Sequence, residues 1–70
     1  MNPVSKYINW SFIAPGAQSQ IYHGLNTAEV MVACYYQNEE VLDYSMRVEG
    51  PLSIWVKANK TPIEKVLVMG

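Results

Sequence analysis

The sequence predicts an all-β fold, either a small antiparallel β-sandwich or a partly open barrel of about six strands. Valine, isoleucine, tyrosine and tryptophan recur along the whole chain, and these residues favour extended backbone. Turn-forming residues return at intervals typical of short antiparallel strands. Several segments also alternate apolar and polar residues with a period of two. The 70 residues are read as a single β domain, 1–70.

The first two predicted strands flank a proline-glycine break. The first covers residues 5–14, and its apolar set, Ile8, Trp10 and Phe12, is expected to face the core because alternate residues share a face. Pro15-Gly16 ends this strand, since proline removes a ladder donor and glycine accepts a positive φ.

The second strand covers residues 18–23. It places Ile21 and His23 on one face and Gln20 and Tyr22 on the other.

The middle of the chain is predicted to be extended as well. Asn26 and Glu29 have the spacing of a helix capping box, but β-formers follow them, so a strand over residues 30–36 is preferred. This run is apolar enough to be buried on both faces. Residues 37–40 are polar and predict a hairpin turn.

The two following strands show the clearest alternation. Leu42, Tyr44, Met46 and Val48 are expected to face the core, as are the alternate residues of the next strand: Leu52, Ile54, Val56 and Ala58. Gly50-Pro51 forms the turn between them.

The last segment, residues 63–69, allows two interpretations. Thr61-Pro62 with Glu64 has helix-start chemistry, so an α+β fold with a short C-terminal helix from Pro62 is the alternative. A helix of this length is marginal, and Val66 and Val68 favour a strand, which we prefer.

Length and composition point to self-association. A chain of this size is marginal alone and usually needs a disulfide, a metal or a partner. Cys34 is the single cysteine, His23 is the single histidine, and no cluster of metal ligands is present, so neither a disulfide nor a metal or other cofactor is expected. Only 16 % of residues are charged, which suggests that uncharged surface is hidden against another copy of the chain.

The charge pattern argues against other partners. Five basic and six acidic residues make no basic face for nucleic acid. No apolar run is long enough for membrane insertion by a helix, and residues 1–10 lack the plan of a signal peptide. The location in the cell is left open, although the free Cys34 weakly favours the cytoplasm.

No arrangement of residues predicts catalysis, so the protein is expected not to be an enzyme. Ser11, Ser19, His23 and Asp43 supply triad residue types without any local signature of a nucleophile. A Cys34–His23 dyad is disfavoured because Cys34 lies in the most apolar run, where thiols are usually inert.

Trp55 is the most informative position. The alternation of its strand directs it to solvent, where an indole suggests a contact. Three interpretations are open: Trp55 packs in a subunit interface, it stacks on a flat ligand such as a sugar ring, or the face assignment is wrong or a loop covers it. The other candidates for an interface or ligand site are Met31, Tyr35, Val66, Val68, Tyr22 and His23.

These features predict a non-enzymatic homo-oligomeric β-sandwich that acts as an assembly or interaction module. The alternative is a small carbohydrate-binding module that uses exposed aromatic residues, with a glycan as its partner.

Two short segments of the sequence resemble segments of other β-sandwich proteins. Ala14-Pro15-Gly16-Ala17 between strands, and residues 56–59 followed by a turn and a strand, resemble phrases common in immunoglobulin-like and related bacterial β-sandwiches. The resemblance spans about half the chain and implies the fold alone.

Overall fold

The computed structural model describes residues 6–70, and this part of the chain is all-β. It contains two antiparallel sheets and no helix. The seven strands are β1 (Lys6–Asn9), β2 (Gln18–Tyr22), β3 (Met31–Tyr36), β4 (Glu39–Val41), β5 (Tyr44–Val48), β6 (Ser53–Ala58) and β7 (Lys65–Met69).

The strands form a four-stranded sheet in the order β1-β7-β3-β4 and a three-stranded sheet in the order β2-β6-β5. The chain changes sheet at most connections, and the β3–β4 and β5–β6 hairpins stay within one sheet. The sheets are not closed into a barrel, so the sandwich that the sequence predicts is confirmed.

Apolar side chains of both sheets form one core between them. Its members are small or β-branched, and six of the ten come from alternate positions of the interior strands β3, β6 and β7. The buried residues are Ile13, Ile21, Cys34, Val41, Ile54, Val56, Ala58, Ile63, Val66 and Val68. The Tyr44 hydroxyl adds a link between the sheets, because it donates a hydrogen bond of 3.0 Å from β5 to the carbonyl oxygen of Val32 in β3.

The turn predicted at Pro15-Gly16 is confirmed. The Ala17 amide donates to the Ala14 carbonyl oxygen at 2.9 Å across Pro15 and Gly16, and Gly16 has a φ of +83°. This geometry matches a type II turn, in which a residue other than glycine at that φ is disfavoured. The inward side of β6 also follows the prediction at Ile54, Val56 and Ala58, and Ile21 and His23 share one face of the second strand as predicted, which is the buried face.

The prediction for the start of the chain is wrong about the side that faces inward. Ile8, Trp10 and Phe12 are exposed by 43 %, 73 % and 64 %. Tyr7 instead packs against the core, and Ile13 is buried and bridged to Ile63. Regular strand ends at Asn9 rather than at Ala14, and Ser5, the predicted start, lies outside the described residues.

β3 is not buried on both faces as predicted. Val32 and Cys34 contribute to the core, whereas Met31 on the opposite face is 71 % exposed. Only one face of the four-stranded sheet meets the second sheet, so alternate residues of β3 remain outside.

The polar segment 37–40 contains both a turn and the start of a short strand. Gln37 and Asn38 make the turn with φ values of +53° and +65°, and β4 begins at Glu39. The prediction assigned Leu42 to the core-facing side of the next strand. It is 81 % exposed instead, because the chain leaves one sheet after Val41 and enters the other at Tyr44.

Other inward-facing predictions hold only in part. Met46 and Val48 lie opposite Val56 and Ile54 of the buried face, yet they are 37 % and 39 % exposed because β5 is an edge strand. Leu52 lies in the turn before β6 and is 36 % exposed.

The C-terminal segment is a strand, and the alternative α+β fold with a helix from Pro62 is wrong. β7 pairs with both β1 and β3, so it is the shared central strand of its sheet. The capping-box residues Asn26 and Glu29 also start no helix. The Glu29 amide instead donates to the Thr27 hydroxyl at 3.1 Å.

The order of strands differs from that of an immunoglobulin domain. In that fold the first strand pairs with the second in a shared sheet, whereas here β1 pairs with β7 and β2 lies in the other sheet. Within residues 6–70, no helix is present that is long and apolar enough to cross a membrane.

Candidate functional site

The four-stranded sheet presents an apolar surface on the side away from the core, which we call the outer face. The register places Ile8, Leu67 and Ala33 side by side in its middle row. Met69 and Met31 form the row at one end, and Trp10 and Tyr35 lie at the other end. The outer face therefore consists of Ile8, Trp10, Met31, Ala33, Tyr35, Leu67 and Met69.

The charged residues of this surface lie at its ends. Lys6 lies opposite Met69, whereas Lys65 of β7 and Glu40 of β4 lie on either side of Tyr35. The Lys65 ammonium is 4.4 Å from the centre of the Tyr35 ring and 5.1 Å from that of the Trp10 ring. These distances are in the range of cation–π attraction, which holds the two rings and the ammonium together.

Two predicted candidates do not belong to this surface. Val66 lies opposite Cys34 and Val68 lies opposite Val32, so both point into the sandwich, and both are fully buried. The sequence analysis named both of them, with Met31 and Tyr35, as candidates for an interface or ligand site. That assignment is wrong, because Lys65, Leu67 and Met69 are the β7 residues on the outer side.

Trp55 lies on the outer side of the three-stranded sheet, as the alternation of β6 predicts. Its indole N–H donates a hydrogen bond of 2.8 Å to Glu49 Oε2, and the Arg47 guanidinium is 5.9 Å from the ring centre. Arg47 and Glu49 are themselves 3.7 Å apart. The indole is half-buried because these two side chains of the same chain lie against it.

A shallow groove of about 170 Å³ adjoins Trp55, and we call it the Trp55 groove. It is lined by Gln18, Ser45, Met46, Arg47, Trp55 and Lys57. Arg47 lies opposite Trp55 in the β5–β6 pair, and Ser45 lies opposite Lys57. The sequence pointed to Trp55 but not to Arg47, because the pairing partner across a hairpin is known only once the register is known.

His23 and Tyr22 differ in their availability. Tyr22 is 64 % exposed at the end of β2. His23 is buried, and its Nδ1 accepts a hydrogen bond of 3.0 Å from the Leu25 amide. The imidazole therefore serves as a structural acceptor for a backbone amide of the following loop. Its Nε2 is buried without a hydrogen-bond partner.

Cys34 lies in the core, in an environment that suppresses thiol reactivity. Burial, and secondarily the negative charge of Glu40, raise the pKa of the Cys34 thiol from 9.0 to about 12. The thiolate is the reactive form, so this thiol is inert at neutral pH. Residues 6–70 also contain no group of three or more histidine, cysteine or acidic side chains that could hold a metal ion.

The structure thus separates the candidates into three places. Met31 and Tyr35 lie on the outer face, Trp55 and the exposed Tyr22 lie on the other sheet, and Val66, Val68 and His23 are internal. Comparison with known proteins finds no matching family model, no matching curated protein and no matching solved structure.

Proposed function

We propose that this protein is a non-enzymatic assembly module whose outer face packs against the outer face of a second copy. The observation that carries the proposal is an apolar sheet surface with an uncharged middle row, Ile8, Leu67 and Ala33. Protein interfaces have this arrangement, with a core depleted in charge and a polar rim. Lys6 and Lys65 supply the rim.

The size of this surface supports a second copy as the occupant. The Trp10 ring, at 73 % exposure, presents on the order of 150 Å², since a large aromatic side chain has roughly 150–250 Å² to bury. With Met31, Ile8 and the partly buried side chains of the outer face, the exposed apolar area is on the order of 400–600 Å², which suits an interface smaller than the standard of roughly 800 Å² per partner. A patch of this size is at the upper end of what monomers expose, and such patches are often functional.

Packing of identical faces also suits the chemistry. Two sheets pack face to face at a separation of about 10 Å when both faces are apolar. A twofold axis between the two outer faces closes the assembly as a dimer and leaves neither outer face free to recruit further copies.

The test compares two substitutions that add the same charge to exposed side chains. Met31→Lys places an ammonium on the outer face, where Met31 is 71 % exposed, and Tyr22→Lys places one on the other sheet, where Tyr22 is 64 % exposed. Both positions are open, so we expect both variants to fold, as circular dichroism checks. In sedimentation equilibrium we expect the wild type and Tyr22→Lys to dimerise, and Met31→Lys to be monomeric.

Two results contradict the proposal. One is a wild-type protein that remains monomeric up to about 1 mM, a concentration at which even weak association is detected. The other is a Met31→Lys variant that dimerises as well as the wild type does.

The Trp55 groove supports a second candidate function, the binding of a carbohydrate. An indole beside amide and hydroxyl groups is a common composition for a sugar site, and Gln18 and Ser45 provide those groups. Tyr35 lies on the other sheet and His23 is internal, so neither belongs to this proposal. A panel of glycans, with Trp55→Ala as the comparison, tests it. Equal binding by that variant contradicts the role of Trp55.

A further inference from the structure

The Trp55 groove contains more positive charge than a site for neutral sugars needs. Two of its six lining side chains, Arg47 and Lys57, are cationic, and none of the six is a carboxylate. We propose that the ligand of this groove is an acidic saccharide, that is, a sugar ring with a carboxylate or a sulfate. This inference rests on the second candidate function and names its class of ligand.

Arg47 contacts a carboxylate, that of Glu49, which is outside the groove lining. Glu49 does not line the groove, but its Oε2 accepts the indole N–H of Trp55 and lies 3.7 Å from Arg47 Nη2. Glu49 therefore fixes the positions of the indole and the guanidinium together. The guanidinium has further N–H donors, and a planar guanidinium matches the geometry of a carboxylate or sulfate.

Lys57 and two neutral side chains complete the set of donors. The register places Lys57 between Gln18 of β2 and Ser45 of β5 on the outer side of the sheet. Trp55 lies two residues before Lys57 on the same strand, so both side chains project from one face. An ammonium, an amide and a hydroxyl thus lie next to the Arg47–Trp55 pair.

The combination of ring and charges determines the class of ligand. An indole offers a flat apolar surface to the C–H groups of a sugar ring, whereas a simple inorganic anion gains nothing from it. A neutral sugar leaves Lys57 without an anionic partner and Arg47 with Glu49 alone. A saccharide with one anionic group uses both features, and the groove volume of about 170 Å³ is enough to hold about one ring.

The experiment is an NMR titration of the wild-type protein that follows the Trp55 indole N–H and the Gln18 side-chain amide. The probes are methyl glucuronide, methyl glucoside, sodium acetate and sodium sulfate at equal ionic strength. We expect saturable shifts with methyl glucuronide at millimolar concentration. Its affinity is expected to be at least about fivefold higher than that of methyl glucoside, because a charge-assisted hydrogen bond is roughly twice as strong as a neutral one.

Two variants test the assigned cation. Arg47→Lys keeps the charge but loses the planar pair of donors, so we expect it to bind methyl glucuronide about fivefold or more weakly. Lys60→Gln removes an exposed lysine that does not line the groove, and we expect it to bind as the wild type does.

Each other outcome overturns a specific part of the proposal. Equal affinity for the glucuronide and the glucoside overturns the acidic ligand but retains a carbohydrate site. Equal affinity for the glucuronide and acetate or sulfate indicates a simple anion site and overturns the saccharide. The absence of shifts with every probe overturns both functions assigned to the groove and leaves the assembly proposal unaffected.

Discussion

At the scale of single residues, the Cys34 thiol makes stability depend on alkaline pH. Burial raises its pKa from 9.0 to about 12 in the folded protein. Between these values the unfolded thiol loses its proton and the folded thiol keeps it, so the unfolded state binds fewer protons. The free energy of unfolding contributed by this group is therefore constant below about pH 8 and falls at higher pH, by up to about 1.4 kcal/mol per pH unit. Urea unfolding at several alkaline pH values measures this slope.

Cys34→Ala provides the matched comparison for this prediction. The variant is less stable at neutral pH because of the smaller side chain, but it lacks the ionising thiol. The raised pKa of Tyr44, caused mainly by burial, contributes a slope of its own in both proteins. We therefore expect a flatter pH dependence in the variant. Parallel curves for the two proteins are the outcome that contradicts the prediction.

The Tyr44 hydroxyl provides a second residue-scale prediction. Tyr44→Phe removes the hydrogen bond to the Val32 carbonyl oxygen that joins the two sheets. We expect a loss of about 1–2 kcal/mol in the free energy of unfolding, because the carbonyl loses its side-chain donor. Chemical denaturation measures it. Tyr22→Phe, at an exposed ring, is the control and should change stability by less than about 0.5 kcal/mol. An equal effect in both variants contradicts the assignment.

The residues at the start of the chain show what alternation can and cannot predict. It correctly separates Ile8 and Trp10 from Tyr7 and Asn9, because a strand has two faces. It does not determine which face is inside, and hydrophobicity alone favoured Ile8 and Trp10. The pairing with β7 determines it, since Tyr7 lies opposite Val68 and Asn9 lies opposite Val66, both on the buried side. That information is in the tertiary pairing and not in the local sequence.

At the scale of elements, the β3–β4 hairpin is built on a turn whose residues are not the preferred ones. Gln37 and Asn38 both have positive φ, as in a type I′ turn, for which Asn-Gly is favoured. Gln37→Asn with Asn38→Gly should stabilise the protein by about 0.5–1 kcal/mol, because the strained backbone is relieved. Asn38→Val should destabilise it by at least about 1 kcal/mol. Thermal unfolding of the two variants measures both effects, and shifts of the same sign contradict the turn assignment.

The local sequence does not predict that β4 and β5 are two separate strands. From Val41 to Val48 the apolar residues continue without a glycine or a proline, so the sequence contains no visible break. Asp43 lies between the two strands, and residues from another part of the chain contact its side chain. Its carboxylate accepts hydrogen bonds from the Lys60 amide at 3.1 Å and the Asn59 side chain at 3.3 Å. The strand content, the turn positions and the extended C-terminus were predictable, because each depends on local sequence.

At the scale of the whole molecule, the core is thin. None of the eight aromatic side chains is fully buried, although all of them lie within residues 6–70. The interior is filled by aliphatic residues, alanine and cysteine, which leaves the rings at the margins and on the outer surfaces. The apolar excess in the composition is therefore real surface, and three of the nine exposed large apolar side chains of the described residues, Ile8, Trp10 and Met31, lie on the outer face.

This distribution leads to a prediction about stability and protein concentration. If folding and dimerisation through the outer face are coupled, each tenfold rise in concentration stabilises the dimer by about 1.4 kcal/mol, shared between two chains. For a domain of this size the melting temperature should rise by about 3–5 °C per tenfold step. Calorimetry from about 10 μM to 1 mM measures the shift. Met31→Lys should melt at one temperature throughout the series, whereas Tyr22→Lys should follow the wild type. A wild-type melting temperature that does not change with concentration would show that the thin core alone sustains the fold.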